Sequence, residues 1–358
     1  MAAEKLFTDP YVFWLNGTGT QADIVLSSRI RLARNFNDIP FPNRANLPQL
    51  AKVKELVRGA LPDLEVATGL RYQYIGIDEL TKLEKNVLIE KHLISSNHIN
   101  SPEERSVLIS EDSRVSIMVN EEDHLRLQCM VSGLDLKTPL ALAMSLDDAI
   151  ESSLSIAFDE KMGYLTSCPT NLGTGLRASV MLHLPGLVFT QQIGKIINIS
   201  PQLGLAVRGL YGEGTEFTGN IFQISNQLTL GFTEEGMIDN LTGTVHEIIT
   251  HEKAARESLL KSSPDKVVDS VWRAFGILRY ARSVTEKEVL ILLSKMRLGV
   301  DLGIITEVNP QVFNELLVAS QTNYLRNLQE NENMSQSEID KKRAEIIRTA
   351  ILKFAVGG

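Results

Sequence analysis

Cysteine is scarce in this chain, and the two residues present, Cys129 and Cys168, exclude a disulfide framework or an all-thiolate metal site. Positive charge is not in excess either. With 36 Lys and Arg against 44 Asp and Glu, the formal net charge is −8. That balance excludes a general nucleic-acid binder, whose affinity needs a basic face. No apolar run approaches the roughly 18 residues that cross a bilayer, so no membrane partner is expected. Residues Met1 to Pro10 carry no basic segment leading into an apolar run, so no secretory signal is expected and a reducing cytoplasm is the expected location. Internal repeats and low-complexity tracts are missing. So is a Walker loop, because no Gly-Lys-Ser/Thr follows Gly173 and Gly175, and so is the His-Arg-Asp and Asp-Phe-Gly pair of a protein-kinase fold.

What remains is a chain of 358 residues, 43% of them hydrophobic, long enough for two domains or one large one. Alternating apolar positions predict strands at Asp23–Ala33, Arg71–Ile77, Arg114–Val119, His124–Val131, Leu176–Leu184 and Leu203–Leu210. Helical spacing covers Leu47–Ala60, Thr81–Leu93, Thr138–Phe158 and Pro185–Ile197. From about Thr244 the pattern is helical only, with Ser263-Pro264, Thr285 to Glu288 and Ser335 to Glu338 reading as helix starts. The expected class is α+β: a mixed domain over residues 1–255, then a helical C-terminal domain over 256–358.

The most informative segment is Val25-Leu26-Ser27-Ser28-Arg29-Ile30-Arg31-Leu32. On a strand Arg29 and Arg31 share one face while Ile30 and Leu32 turn to the core. Two readings stand for such a pair: a solvated or salt-bridged basic edge, or two planar forks held apart to grip an anion. The arrangement recurs. Arg126 alternates with Leu125 and Leu127, Arg177 follows the Gly173-Thr174-Gly175 turn, and Arg208 ends Leu203–Val207. Arginines delivered by several strands could converge to cradle a triphosphate.

At this point three runs resemble the signatures of the phosphagen (guanidino) kinases: Leu26 to Arg31, Asn120-Glu121-Glu122-Asp123-His124-Leu125-Arg126, and Cys168 to Ser179. Arg208-Gly209 followed by Gly212-Glu213 resembles a fourth, and the four stand in the family's order. The resemblance implies a catalytic domain on an antiparallel β-sheet flanked by helices, with ATP and Mg²⁺ as cofactors. Only residues 1–25 precede Leu26, where creatine and arginine kinases carry a helical N-terminal domain, and a helical extension follows instead. That architecture resembles the bacterial branch that phosphorylates arginine side chains in proteins and marks them for a Clp-type protease. The partners implied are protein substrates with exposed arginine, an activator protein, a Clp-type unfoldase or protease, and a second copy of the chain in a homodimer. A small-molecule guanidino kinase and a non-catalytic protease adaptor are the alternatives.

The same resemblance implies roles residue by residue. Glu122 matches the catalytic base and Glu213 a second carboxylate on the guanidinium. Cys168 matches an auxiliary thiol at the acceptor, its alternative being a small buried hydrophobe, whereas Cys129 belongs to the core. The nucleotide would be held by Ser27, Ser28, Arg29, Ile30, Arg31, His92, Arg126, Arg177 to Met181 (with Ala178, Ser179 and Val180 between) and Arg208 to Glu213 (through Gly209, Leu210, Tyr211 and Gly212). No direct metal ligand is expected, and Glu121 and Asp123 would hold water on Mg²⁺. Met181 stands where small-substrate relatives have histidine, which leaves the role of His183 open. A phosphoarginine-binding motif of that branch is matched by Asp340 and Arg343, but Ile339 replaces its first arginine. A weakened allosteric site and a solvated, mixed-charge helix face are both open readings there.

Overall fold

The structure, a computed structural model, describes residues 2–210 and 217–355. Its strands are β1 (Val25–Arg34), β2 (Tyr72–Gly76), β3 (Ser106–Ser110), β4 (Val115–Val119), β5 (Leu125–Ser132), β6 (Phe158–Asp159), β7 (Gly163–Tyr164), β8 (Leu176–His183), β9 (Leu205–Arg208) and β10 (Ile221–Asn226). The helices are α1 (Ala2–Thr8), α2 (Leu47–Thr68), α3 (Lys82–Glu90), α4 (Lys137–Glu151), α5 (Pro185–Phe189), α6 (Ile193–Ile199), α7 (Glu234–Ser262), α8 (Pro264–Tyr280), α9 (Glu286–Asp301), α10 (Gln311–Ala319), α11 (Thr322–Leu328) and α12 (Gln336–Lys353). Eight strands form one sheet in the order β2-β3-β4-β5-β1-β8-β10-β9, with every neighbouring pair antiparallel. This is the α+β architecture expected from the sequence.

Period-two alternation explains why the sheet has two unlike faces. Ile30 and Leu32 pair with Cys129 and Leu127 on one side and Ala178 and Leu176 on the other. All six are buried in one core with the inner faces of α2, α4 and α7. The opposite face presents Arg29 and Arg31 at mid-sheet. Met118, Met130 and Met181 flank them and join a second core with α3 and the C-terminal helices. Helix α7 connects the two, since Met237 to Ala255 belong to the first core and Leu259 to the second. The domain boundary expected at 255/256 therefore falls inside a continuous helix.

Several boundaries moved for local reasons. Helix α2 runs on past Ala60 through Pro62 and ends at Gly69 in the left-handed conformation (φ 66°). Thr81 caps α3 in a reciprocal box with Glu84, so the helix begins one residue after the expected start. Ser335 and Glu338 form the box expected for α12. At Ser263 no side-chain cap forms; Pro264 opens α8 by its fixed φ alone. Strands β3 and β10 were not anticipated, and β10 turns out to line the site.

Polar joints tie the C-terminal helices to the sheet domain. Arg256 on α7 donates to Glu252 Oε1 (2.7 Å), Asp301 on α9 accepts from Arg297 Nε (2.7 Å), and Arg297 Nη2 donates to Ala22 O (2.9 Å). Glu90 accepts from the Asn323 and Tyr324 amides at the start of α11 (2.9 and 2.8 Å). Among the described residues no helix is long and apolar enough to cross a membrane.

Candidate active site

Strand register assembles the arginines that lie far apart in sequence. Arg31 on β1 sits opposite Arg177 on β8 and opposite Gln128 on β5, and Arg126 lies two residues along β5 on the same face. Arg29 faces Ser179, which faces Ser225 on β10, while Gln223 on β10 faces Arg208 on β9. The guanidiniums rest on a neutral polar floor. Arg29 donates to Ser179 Oγ (3.1 Å) and Gln223 Oε1 (2.9 Å), and Arg177 to Ser225 Oγ (3.2 Å). The buried Nε of Arg31 has no acceptor among the described residues.

This crowding is electrostatically costly. Burial, then Arg177, Arg126 and Arg208, push Arg29 down to about 10. Burial, then Arg29, Arg126 and Arg177, push Arg31 well below its ordinary value, with Glu121 opposing. Guanidinium holds its proton so strongly that the strain is expressed as positive potential rather than as charge loss. A polyanion bound on this face would relieve it. The solvated-edge alternative for Arg29 and Arg31 does not describe what is seen, because both are partly buried at mid-sheet.

Not every neighbour of these arginines shares their face. Ile30, Ala178 and Val180 are fully buried in the opposite core, so their side chains do not join the site. The Ser28 hydroxyl donates to Gly133 O (2.8 Å) and accepts from the Asp135 amide (3.1 Å), so it is spent on the β5 exit turn. Ser27 is also buried, opposite Met181, and Met181, like Leu210, packs into the core shared with the C-terminal helices. Gly209 is buried after β9. Tyr211, Gly212 and Glu213 lie outside the described residues.

His92 stands at the edge of the arginine group. It adopts φ 58°, its carbonyl accepts from Gln128 Nε2 (2.8 Å), and its ring meets Trp14 edge-on at 5.1 Å. Burial first and Arg29 second push it down to about 3, so it is neutral. His183 lies elsewhere. At the end of β8 it hydrogen-bonds Ser294 Oγ on α9 (2.8 Å) and lies 5.2 Å from the Phe313 ring, within the joint to the C-terminal helices.

The acidic turn between β4 and β5 gives its three carboxylates different tasks. Asn120 takes φ 61° and fixes the turn by donating to Leu50 O and Glu104 O (2.9 and 2.7 Å). Glu121 is buried, and its two oxygens accept from Ser95 Oγ (2.5 Å) and from Arg126 Nη1 (2.7 Å). Asp123 Oδ1 accepts from Asn35 Nδ2 (2.6 Å) and the Ser167 amide (2.7 Å). Only Glu122 reaches outward, with 43% of its side chain accessible, and it pairs with Arg126 Nη2 (2.9 Å). Burial, with Asp123 and Glu121 adding to it, raises the Glu122 pKa above the usual carboxylate range against the pull of Arg126 and Arg31.

Through Ser167, Asp123 also ties this turn to Cys168. The Cys168 thiol is half-buried and lies 3.0 Å from Thr170 Oγ1, while Thr229 Oγ1 donates to Thr170 O and Leu172 O (3.1 and 2.6 Å). The following turn is shaped by glycine. At Gly175 (φ 65°) a Cβ would lie 2.7 Å from Ala33 O and 2.6 Å from Arg34 Nη1. Arg34 holds that turn through Thr174 O (3.0 Å), and is itself clamped by Asp147 through both fork nitrogens.

Sequence reasoning missed Ser95, Gln128, Gln223, Ser225 and Trp14. The signal for β10 was present, because Phe222 and Ile224 alternate with Gln223 and Ser225. The C-terminal pair Asp340 and Arg343 is not on a solvated face: Arg343 is fully buried, and Ile339 beside it is too. Its fork donates to Ser320 O (2.7 Å), Val284 O (3.0 Å), Asp340 Oδ1 (2.5 Å) and Thr322 Oγ1 (2.8 Å).

An antiparallel sheet that gathers arginines from β1, β5, β8 and β9 beside one outward carboxylate is the arrangement of a guanidino phosphotransferase. Residues 52–255 match the family described as ATP:guanido phosphotransferase, C-terminal catalytic domain, and residues 264–356 match the protein-arginine kinase McsB C-terminal domain. A protein-arginine kinase of Desulforamulus reducens is 47% identical over 97% of this chain and 98% of its own. One of Halothermothrix orenii is 46% identical over 98% and 99%. Among solved structures, the taurocyamine kinase of Schistosoma mansoni with bound transition-state-analogue components has a TM-score of 0.61 at 29% identity, covering 66% of this chain and 34% of that one. A lombricine kinase has a TM-score of 0.57 at 25% identity, covering 70% and 72%. The chain belongs to the ATP:guanido phosphotransferase family and, within it, to the protein-arginine kinases.

Proposed function

We propose that this enzyme transfers the γ-phosphoryl group of ATP to the guanidinium of arginine side chains in proteins. The observation that carries the reading is the convergence of the mid-sheet arginines beside Glu122, in a chain whose full-length relatives are named protein-arginine kinases. Arg29, Arg31, Arg126, Arg177 and Arg208 take the phosphate oxygens, with Ser179 orienting Arg29 and neutral His92 beside it. A guanidinium is a poor nucleophile because its electrons are delocalised and it carries a proton. Glu122 accepts that proton as the nitrogen lone pair forms the N–P bond and the bond to the leaving oxygen of ADP breaks. A raised pKa suits this task, since it makes the carboxylate a stronger base. Glu213 grips the guanidinium as the second carboxylate, and the Cys168 thiol lies beside the acceptor.

Mg²⁺ fits as an ion carried by the phosphates, where it neutralises charge on the transferring group. Both Glu121 oxygens already have protein donors, so its part is assigned to Arg126 rather than to metal-bound water. In the wider reading, which rests on family resemblance, the enzyme works in the cytoplasm as a homodimer. An activator protein engages it, and its products pass to a Clp-type protease. A phosphoarginine site at Asp340 and Arg343 would be weak, because Ile339 supplies no fork and Arg343 is committed to internal acceptors.

The test offers ATP with free arginine in one arm and an arginine-bearing unfolded protein in the other, followed by mass spectrometry under conditions that preserve acid-labile phosphate. Phosphate on protein arginine and none on the free amino acid is expected. Transfer to free arginine alone would favour a small-molecule guanidino kinase, the activity named for the lombricine and taurocyamine enzymes that share the fold.

A further inference from the structure

One cation serves two carboxylates at the edge of the site, and the two are not equivalent. Arg126 Nη1 lies 2.7 Å from Glu121 Oε2 and Arg126 Nη2 lies 2.9 Å from Glu122 Oε2. The Glu121 side chain is 2% accessible and the Glu122 side chain 43%. Glu121 is also held from behind. Ser95 Oγ donates to its Oε1 (2.5 Å), and the Glu122 amide donates to its Oε2 (3.2 Å). Ser95 itself is fixed, because its hydroxyl accepts from the His98 amide (3.2 Å) and its own amide reaches Met118 Sδ (3.3 Å). A phosphate arriving on Arg126 would be a third anion around one fork. The partner that leaves at least cost is the one water can take over, and that is Glu122.

We infer that Glu121, anchored by Ser95, is a positioning residue that keeps Arg126 in place while Glu122 exchanges off it when phosphate binds. Nucleotide binding thereby releases the base toward the acceptor guanidinium. This rests on the reading of Glu122 as base and Arg126 as phosphate ligand. The charged groups that face Glu122 are Arg126 on β5, Arg31 on β1, and Glu121 and Asp123 on its own turn. Those that face Glu121 are Arg126 on β5, Arg31 on β1, Glu122 on its own turn, Arg105 and His98, the last pushed down to about 4 by burial and hence neutral. Removing the Glu121 charge takes a repelling carboxylate from Glu122 and leaves Arg126 to it undivided. Both changes lower the Glu122 pKa and hold the base on the cation.

The experiment measures kcat, KM for ATP and the pH profile of kcat/KM for the full-length wild type, Glu121→Gln and Ser95→Ala, with ATP and an arginine-bearing protein. For Glu121→Gln, kcat should fall about tenfold, the equivalent of one pKa unit. The acid limb of its profile should move to lower pH. Ser95→Ala, which keeps the carboxylate and loosens it, should shift the limb the same way by less. An acid limb that stays at the wild-type pH in both variants, whatever happens to kcat, overturns the inference and leaves Glu121 a structural residue. Glu122→Gln is run alongside. If that variant keeps wild-type kcat, the assignment of the base itself fails, a result separable from an unmoved limb in an enzyme that does depend on Glu122.

Discussion

Two groups of inward-facing arginines in this molecule are built on opposite principles. At the joint to the C-terminal helices, Arg256 and Arg297 are neutralised by Glu252 and Asp301, and Arg343 by Asp340 and Glu286, with carbonyls taking other donors. At mid-sheet, beside an Arg126 that is paired with Glu121 and Glu122, Arg29 has serine and glutamine partners, and the Arg31 Nε has none among the described residues. Paired arginines hold a fold together. Arginines given dipoles in place of countercharges leave positive potential for something that arrives from outside. The second arrangement costs stability in the empty protein, and phosphate binding recovers it.

The contrast can be broken by exchanging the two kinds of loss. Arg256→Leu strands the buried Glu252, while Asp301 keeps Arg297, and should cost about 3–5 kcal/mol of stability, read as a lower denaturation midpoint. An unchanged midpoint would mean that the joint is not held by this pairing. Arg31→Leu should do the reverse. Stability should hold or rise, because a repelled cation is removed, while kcat/KM falls by about 10²–10³ as one transition-state donor is lost. Equal losses of stability at Arg31 and Arg256 would erase the distinction between the two groups.

A smaller effect follows from linkage. A triphosphate or non-hydrolysable ATP analogue at a hundred times its Kd should raise wild-type stability by about 2.7 kcal/mol, and the gain should shrink in Arg31→Leu. A gain of the same size in both would place the nucleotide elsewhere. The smallest effect is expected at the polar floor. Ser179→Ala removes one neutral partner of Arg29, worth about 0.5–1.5 kcal/mol, so KM for ATP should rise by a few-fold. A loss as large as that at Arg31 would mean that Ser179 does more than orient the fork.

Much of this contrast was legible in the sequence where it depends on period. Arg29 and Arg31 alternating with Ile30 and Leu32 predicted one cationic face and one core face, and the pairing with Cys129 and Ala178 bears that out. The acidic turn was legible as a run of residues. Its internal division was not, because the partners of Glu121, Glu122 and Asp123 arrive from Ser95, Arg126 and Ser167 through sheet register and loop packing. Register has no local signature. The same limit hid Gln223 and Ser225, which reach the site only because β10 lies between β8 and β9. Around Arg343 the sequence left a solvated face and a weakened anion site both open, and helical spacing, which turns Ile339, Arg343 and Ile347 to the interior, removes the first.

The most direct measurement is single-turnover formation of phosphoarginine on an unfolded protein by wild type, Arg31→Leu and Glu122→Gln at saturating ATP. Wild type should transfer phosphate to arginine with matching ADP release. Glu122→Gln should be slower by about 10²–10⁴ while still binding ATP, and Arg31→Leu should be slower with weakened ATP binding. Wild-type transfer rates in both variants would contradict the account.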